Sequence, residues 1–322
     1  MRRRDLLLSA AAAMASASAG AGAETRRIGF VQTGSQQENA GLLDAFRNEL
    51  SALGWKDGGN IAILDRWADD HAERLPGIVK ELIVSGVAVL VTGGTSATFA
   101  AKRAGATVPI VLVGVDDPVA LGVVRTLARP GGNATGLCLT SPEMIGKRLE
   151  LLQELVPRLR RVAVIVRADP GLEQKLHDIR YVAERQKVQV LILEAATGSA
   201  LDLAYARLRV ERCEAVYVAS GPLGPAKRAQ LIALAAEARL PAIYSFRIFP
   251  VDGGLISFGA DYTNLFRRAA GYVDKILEGA EPANLPVEPP HKFNLTVNLK
   301  TAGTLGLEIP PAILERADEV IQ

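Results

Sequence analysis

Apolar residues in this chain fall into short unbroken runs separated by longer stretches with helical spacing. Ile28 to Val31 is the first run. Behind it Leu43, Phe46, Leu50 and Leu53 recur on one helix face, with Asn39 placed to cap that helix and Gly54 to stop it. Ile61 to Leu64 reads as the next strand, followed by a helix with Leu75, Ile78, Val79 and Leu82 that ends near Gly86. Val87 to Val91 is apolar throughout, as expected of a strand covered on both faces. A helix from Ser96 to Ala104 and a strand from Ile110 to Val113 complete this block.

The same order restarts beyond residue 140. Ser141 as N-cap and Pro142 in the first turn open a helix lined by Ile145, Leu149, Leu152 and Val156. Val162 to Val166, Val188 to Leu193, Ala215 to Val218 and Ala242 to Tyr244 read as strands. Asp169-Pro170 opens one intervening helix, and Leu231 and Leu234 mark another. Alternation of this kind predicts an α/β protein with parallel sheets covered on both faces, and two blocks predict two doubly wound lobes.

The tail adds a strand at Leu255 to Phe258 and a helix capped by Asp261, with Leu265, Phe266, Ala269, Val273 and Ile276 inward. Gly279 ends that helix, Pro282, Pro286, Pro289 and Pro290 stiffen the following segment, and Phe293 to Asn298 is one more strand. The pattern predicts that the chain returns to each lobe and forms a multi-segment hinge. The expected division is residues 24–140 with 248–282 in lobe 1, and 141–247 with 283–322 in lobe 2.

The first 23 residues change the picture of where the chain works. Arg2, Arg3 and Arg4 precede Leu6 to Leu8 and an Ala-rich run, and Ala21-Gly22-Ala23 fits a small-residue cleavage site. This is the layout of a cleaved export signal, either twin-arginine-like or Sec, and it predicts a periplasmic mature chain starting at Glu24. Lysines and arginines number 37 against 35 acidic residues, and the export segment holds three arginines and Asp5, so the mature chain is balanced. A neutral chain has no electrostatic reason to track nucleic acid. Cys138 and Cys213 fall in different lobes, where two buried thiols are expected rather than a disulfide that would restrict the hinge. His71, His177 and His291 are scattered, so neither a metal site nor a cofactor is expected.

Ligands of open α/β sheets sit beyond the carboxyl ends of strands, beside the helix starts. That rule selects Gln32 to Ser35, Thr92 to Thr98 and Val115 to Pro118 in lobe 1, and Arg167 to Pro170, Ser220 to Gly224 and Ser245 to Arg247 in lobe 2. Thr33 and Ser220 are the hydroxyl candidates of their turns. Gly93-Gly94-Thr95-Ser96 is the most telling turn, because two glycines allow a tight bend and free amides at a helix start hold an anion. Gly94, Thr95 and Ser96 are its candidate contacts, although Thr95 or Ser96 acting simply as N-cap accounts for the pattern too. No Lys follows the glycines, unlike a phosphate-binding loop. Asp116 offers a carboxylate to a ligand ammonium group, and Asp117 either does the same or caps a helix at Pro118. Arg167, directly after a buried strand, suits either a clamp on a carboxylate or a pair with Asp169.

Several ordered segments carry a resemblance. They are Val91-Thr92-Gly93-Gly94-Thr95, Gly114 to Leu121, Ala128 to Gly136, Lys147-Arg148-Leu149-Glu150-Leu151-Leu152, Leu240-Pro241-Ala242-Ile243-Tyr244, Tyr272 to Leu277, Asn298 to Ala302 and Ile309-Pro310-Pro311. Together they resemble the ABC-type substrate-binding family that includes tryptophan- and tyrosine-binding members of the type I periplasmic fold. The resemblance implies an extracytoplasmic receptor, monomeric, that closes on a small ligand such as an amino acid or other carboxylate and docks onto an ABC permease. It also implies a ligand contact or a hinge salt bridge for Arg247, and an altered ligand preference at Arg167, where the family more often has Asn. The turn from Ser220 to Pro225 lacks the aromatics common in the family, which removes a stacking platform for an aromatic ligand. Tyr244, Phe246 and Phe258 are expected in the core or hinge.

A catalytic alternative centres on Gly94-Thr95-Ser96-Ala97-Thr98, placed where a hydrolase nucleophile elbow would lie with Ser96 as nucleophile, but Thr98 replaces the second Gly. A dinucleotide fingerprint is missing from the first turn, Gln32-Thr33-Gly34-Ser35. An enzyme is therefore not expected; a ligand sensor for a signalling receptor is a further alternative.

Overall fold

The computed structural model describes residues 25–139, 142–168, 170–195, 198–219 and 225–322. The export segment, Ser141, Asp169 and the turn from Ser220 to Gly224 lie outside the described residues. Among the described residues two sheets form, each the centre of one lobe.

The first contains β1 (Arg26–Gln32), β2 (Ile61–Trp67), β3 (Val89–Gly93), β4 (Ile110–Val115) and β5 (Ala134–Cys138), all parallel in the order β2-β1-β3-β4-β5. Strand β5 is short and split by Gly136, so its apolar run is too brief to declare itself in the sequence. Helix α1 (Gln36–Ala52) covers one face, where Phe30, Phe46 and Phe266 meet with ring centroids 5.5–5.6 Å apart. Helices α2 (Leu75–Val84) and α3 (Gly94–Arg103) cover the other, packing Leu75, Val79, Leu82 and Ala97 onto Val31, Leu90 and Leu112. The N-cap of α1 is Ser35, not Asn39; Asn39 lies within the first turn and donates its amide to the Ser35 carbonyl at 2.9 Å.

The second sheet builds on α4 (Pro142–Leu155), β6 (Arg161–Val166), α5 (Leu172–Arg185), β7 (Gln189–Glu194), α6 (Gly198–Val210), β8 (Ala215–Val218), α7 (Pro225–Ala238) and β9 (Ala242–Tyr244). A one-turn helix α8 (Ile248–Val251) leads to β10 (Ile256–Ala260), and α9 (Tyr262–Leu277) follows. The chain ends in β11 (Phe293–Asn298), α10 (Leu299–Leu305), α11 (Pro311–Arg316) and β12 (Glu319–Ile321). The strand order is β12-β11-β10-β9-β8-β6-β7, parallel except where β10 meets β11. Glu173 sits in the first turn of α5, but the helix starts at Leu172 behind a left-handed Gly171 rather than at Pro170.

The lobe division differs from the sequence expectation in two places. Residues 248–260 were expected in lobe 1, yet β10 is hydrogen-bonded between β9 and β11 of the second sheet. Helix α9 returns to lobe 1, burying Leu265, Phe266, Ala269 and Val273 against α1. Residues from 283 were expected in lobe 2, but the proline-rich segment runs beside β5. Val287 donates to the Leu127 carbonyl at 2.7 Å, and the Tyr272 hydroxyl to the Pro286 carbonyl at 2.8 Å. Lobe 2 resumes only at β11. The reason is that an isolated strand or linker carries no local signal of which sheet edge it will join; partners supply it.

The predicted crossings between lobes are present, after β5, after β10 and before β11. Asp261 caps α9 as expected, accepting from the Asn264 amide at 2.9 Å, and its own amide donates to the Lys292 carbonyl at 3.0 Å. Two hinge strands are thereby held side by side. Cys138 and Cys213 are free, buried and in separate lobes.

Candidate functional site

The carboxyl ends of both sheets face one cleft of about 430 Å³ between the lobes. Lobe 1 contributes the turns after β1, β3 and β4, and lobe 2 those after β6, β8 and β9. Of the residues singled out from the sequence, Thr33, Gly94, Thr95, Ser96, Asp116, Asp117, Arg167 and Arg247 line it together. Ser220 lies outside the described residues, although Ala219 beside it lines the cavity.

At the turn after β3 neither candidate hydroxyl serves as the helix cap. Gly93 is the N-cap of α3, in extended conformation, and no side chain caps the helix. Neither Thr95 nor Ser96 is therefore the N-cap. Thr95 instead links two strand ends, its hydroxyl accepting from the Asp116 amide at 3.4 Å. The uncapped helix start carries partial positive charge at the cavity wall. Two glycines make it so. Gly94 has φ +82°, and a Cβ on Gly93 would lie 2.0 Å from Gln32 Oε1. Gln32 thus lies across the turn, 7% exposed, with its Nε2 buried and unpartnered among the described residues.

The acidic candidates are largely engaged by the protein. Asp117 Oδ1 accepts from the amides of Val119 and Ala120, both at 3.0 Å, so it caps a turn rather than a helix. Asp116 meets Lys175 Nζ of lobe 2 at 3.0 Å. A second pair crosses the cleft, from Arg228 Nη1 on α7 to Glu38 Oε1 on α1 at 2.8 Å, while Arg228 Nε holds Asp252 at 2.6 Å. Burial works against the Arg228 charge, but its hydrogen bonds to Asp252 and Glu38 more than offset that and hold the proton more tightly than usual. Arg247 is held in a fork by Glu319 of β12, at 2.5 and 2.7 Å, which makes it a brace within lobe 2.

Other lining residues escaped the sequence reading. Arg148 of α4 is buried beneath the cavity, donating from Nε to the Phe258 carbonyl at 2.7 Å and from Nη1 to the Tyr217 hydroxyl at 2.8 Å. Phe246 and Tyr262 form an edge-to-face pair in the wall, centroids 5.0 Å apart, so Phe246 borders the cavity rather than the core. Tyr244 is buried in the core as expected, and Phe258 packs half-buried against the neighbouring core cluster and stacks on Phe293. Burial, with Asp116 nearby, pushes the Tyr262 hydroxyl above its ordinary pKa, leaving a neutral donor. Asp178 of α5 accepts from Gln174 Nε2 at 2.9 Å, and burial raises its carboxyl above the usual range.

None of the three histidines lines the cavity, so Ser96 has no imidazole beside it there. Among the described residues no group of three His, Cys, Asp or Glu side chains is gathered to hold a metal, and no helix is long and apolar enough to cross a membrane.

Known proteins share this architecture. A tyrosine-binding protein of Clostridioides difficile is 26% identical over 265 residues, 82% of this chain and 76% of its own. A conserved domain protein from Vibrio cholerae superposes with a TM-score of 0.85 at 25% identity, covering 92% of this chain and 100% of that one. An ABC domain from Streptococcus pneumonia, solved with L-Trp, superposes over the same shares with a TM-score of 0.83 at 21% identity. The family model for ABC transporter substrate binding proteins matches residues 30–321, and the chain belongs to that family.

Proposed function

We propose that this chain is the extracytoplasmic solute-binding component of an ABC importer, which takes a small carboxylate, an amino acid or a related acid, into its cleft and delivers it to a permease. The observation that carries this reading is the uncapped start of α3 at the wall of an inter-lobe cavity of small-molecule size. The amides of Gly94, Thr95 and Ser96 receive the carboxylate, and the Thr33 and Ser96 hydroxyls orient it. Leu42, Leu139, Met144 and Ile145 receive the apolar body. Asp116 and Asp117 shape the lobe 1 wall, and Arg247 braces lobe 2 through Glu319. The tyrosine-binding relative supports a ligand of amino-acid size.

Ligand between the lobes favours the closed form, in which Glu38–Arg228 and Asp116–Lys175 join across the cleft. The permease reads that closed form. The Arg-rich, apolar, small-residue order of residues 1–23 supports export to the periplasm by the Tat or Sec route, and the chain acts as a monomer.

Isothermal titration of the mature chain against a panel of amino acids and small carboxylates tests the reading, with thermal-shift screening as the first pass. At least one member is expected to bind one-to-one and to stabilise the native state by about 2.7 kcal/mol at a hundredfold excess over Kd. Binding to no member, combined with turnover of a model ester that disappears in Ser96→Ala, would favour a hydrolase instead.

A further inference from the structure

The cavity lining carries six carboxylates and five cations, and they do not pair one to one. Asp116 is matched by Lys175 and Glu38 by Arg228, while Asp117 is taken up by two backbone amides. Asp261 caps α9 and meets Lys292 at 3.4 Å; Asp178 is held by Gln174, and Asp70 is engaged within the protein. On the cationic side Arg247 is matched by Glu319. Arg148 and Arg167 remain, lining the cavity in lobe 2 without a carboxylate partner among the described residues.

Arg148 is the sharper case. It is 7% exposed, and its contacts are a carbonyl, a hydroxyl and the Tyr217 ring, with the guanidinium carbon 5.6 Å from the ring centroid. All of these are neutral. Its Nη2 has no partner among the described residues and passes over Gly259. A guanidinium does not shed its proton, so burying it without a counter-ion is costly. An anion arriving in the cavity removes that cost. The opposite wall also seeks an anion, because the uncapped start of α3 stands beside Gln32 Nε2, which is buried and unpartnered among the described residues.

We infer that the cavity is built for a ligand with two acidic groups joined by an apolar middle. One group sits at Gly94 to Ser96 and Gln32, and the other at Arg148 and Arg167. This rests on the carboxylate-binding reading above and narrows it. A zwitterionic amino acid with a neutral side chain satisfies only one pole, and its ammonium group gains nothing at two arginines. Dicarboxylates satisfy both, with Met144 and Ile145 against their carbon skeleton.

The test is calorimetric titration of the mature chain with succinate, glutarate, adipate and phenylsuccinate, each beside its monomethyl ester, and with L-tyrosine. At least one diacid is expected to bind about ten- to a hundredfold tighter than its monoester and than L-tyrosine, the value of one charge-assisted hydrogen-bonded contact. That ratio should fall towards one in Arg148→Lys, which keeps the charge but loses the fork, and in Arg167→Gln, which alters a half-exposed side chain and leaves the buried packing intact. Equal affinity for diacid and monoester in the wild type overturns the two-pole cavity while leaving the carboxylate reading standing. The same holds if L-tyrosine binds best, or if the ratio survives in both variants. Binding of no carboxylate removes both readings.

Discussion

Under the proposed function, the two walls of the cleft recognise charge by different means. Lobe 1 works through backbone: the uncapped start of α3, bent by Gly93 and Gly94, presents amides whose positions are set by the strand and helix they belong to. Lobe 2 works through side chains, with Arg148 buried under the hinge and Arg167 at the end of β6. Backbone dipoles are fixed by the fold and indifferent to ligand identity beyond its carboxylate. Side-chain charges change with one substitution. A cleft that works as proposed keeps a constant grip on one side and leaves ligand choice to the other.

Breaking the constant grip should have the largest effect. In Gly93→Ala the new Cβ falls 2.0 Å from Gln32 Oε1 and 2.3 Å from its Nε2, so Gln32 must leave the turn. Affinity for every carboxylate ligand is expected to drop about ten- to a hundredfold by titration, whichever lobe 2 contacts it uses. A selective loss confined to one ligand would show that the walls do not divide the task in this way.

The cross-cleft pairs come next, since they join the two walls. Glu38→Gln removes one of two carboxylates from Arg228, whose side chain is 8% exposed, and should weaken binding by about 1–2 kcal/mol, mostly through faster dissociation. Lys175→Met removes the partner of Asp116, which is 40% exposed, and should cost only about 0.5–1 kcal/mol, shrinking as salt is raised. Stopped-flow dissociation at two ionic strengths separates them. An equal salt dependence would contradict the difference in burial.

The smallest effect concerns Asp178. Burial raises its folded-state pKa, with Asp116 and Asp117 adding to the shift and His177 and Gln174 opposing it. A raised carboxyl favours the fold while protonated and costs stability once pH rises through the folded pKa. Asp178→Asn should therefore raise Tm slightly at neutral pH, with the gain vanishing below the ordinary carboxylate range. A gain that persists at low pH would point to packing instead.

These walls were unequally legible. The alternation of strands and helices follows from local apolar runs, so both lobes could be read, and the turn after β3 announced itself through two glycines at a strand end. Strand β10 could not be assigned to a lobe, because its pairing with β9 and β11 depends on segments distant in the chain. Arg148 was missed for a related reason. It stands beside Leu149 in the middle of a helix, where an arginine reads as solvent-facing, and only the Phe258 carbonyl and Tyr217 hydroxyl reveal its burial. Asp116 and Asp117 line the cavity, but their partners, Lys175 and two turn amides, could not be read from the sequence because Lys175 is distant in the chain and the turn amides depend on the local fold.

A crystal structure of the mature chain with the tightest-binding carboxylate of the panel tests the central claim most directly. One carboxylate is predicted within hydrogen-bonding distance of the amides of Gly94 to Ser96, with lobe 2 closed over the ligand through Glu38–Arg228 and Asp116–Lys175. A ligand bound outside the cleft, or one whose carboxylate avoids the start of α3, would contradict it.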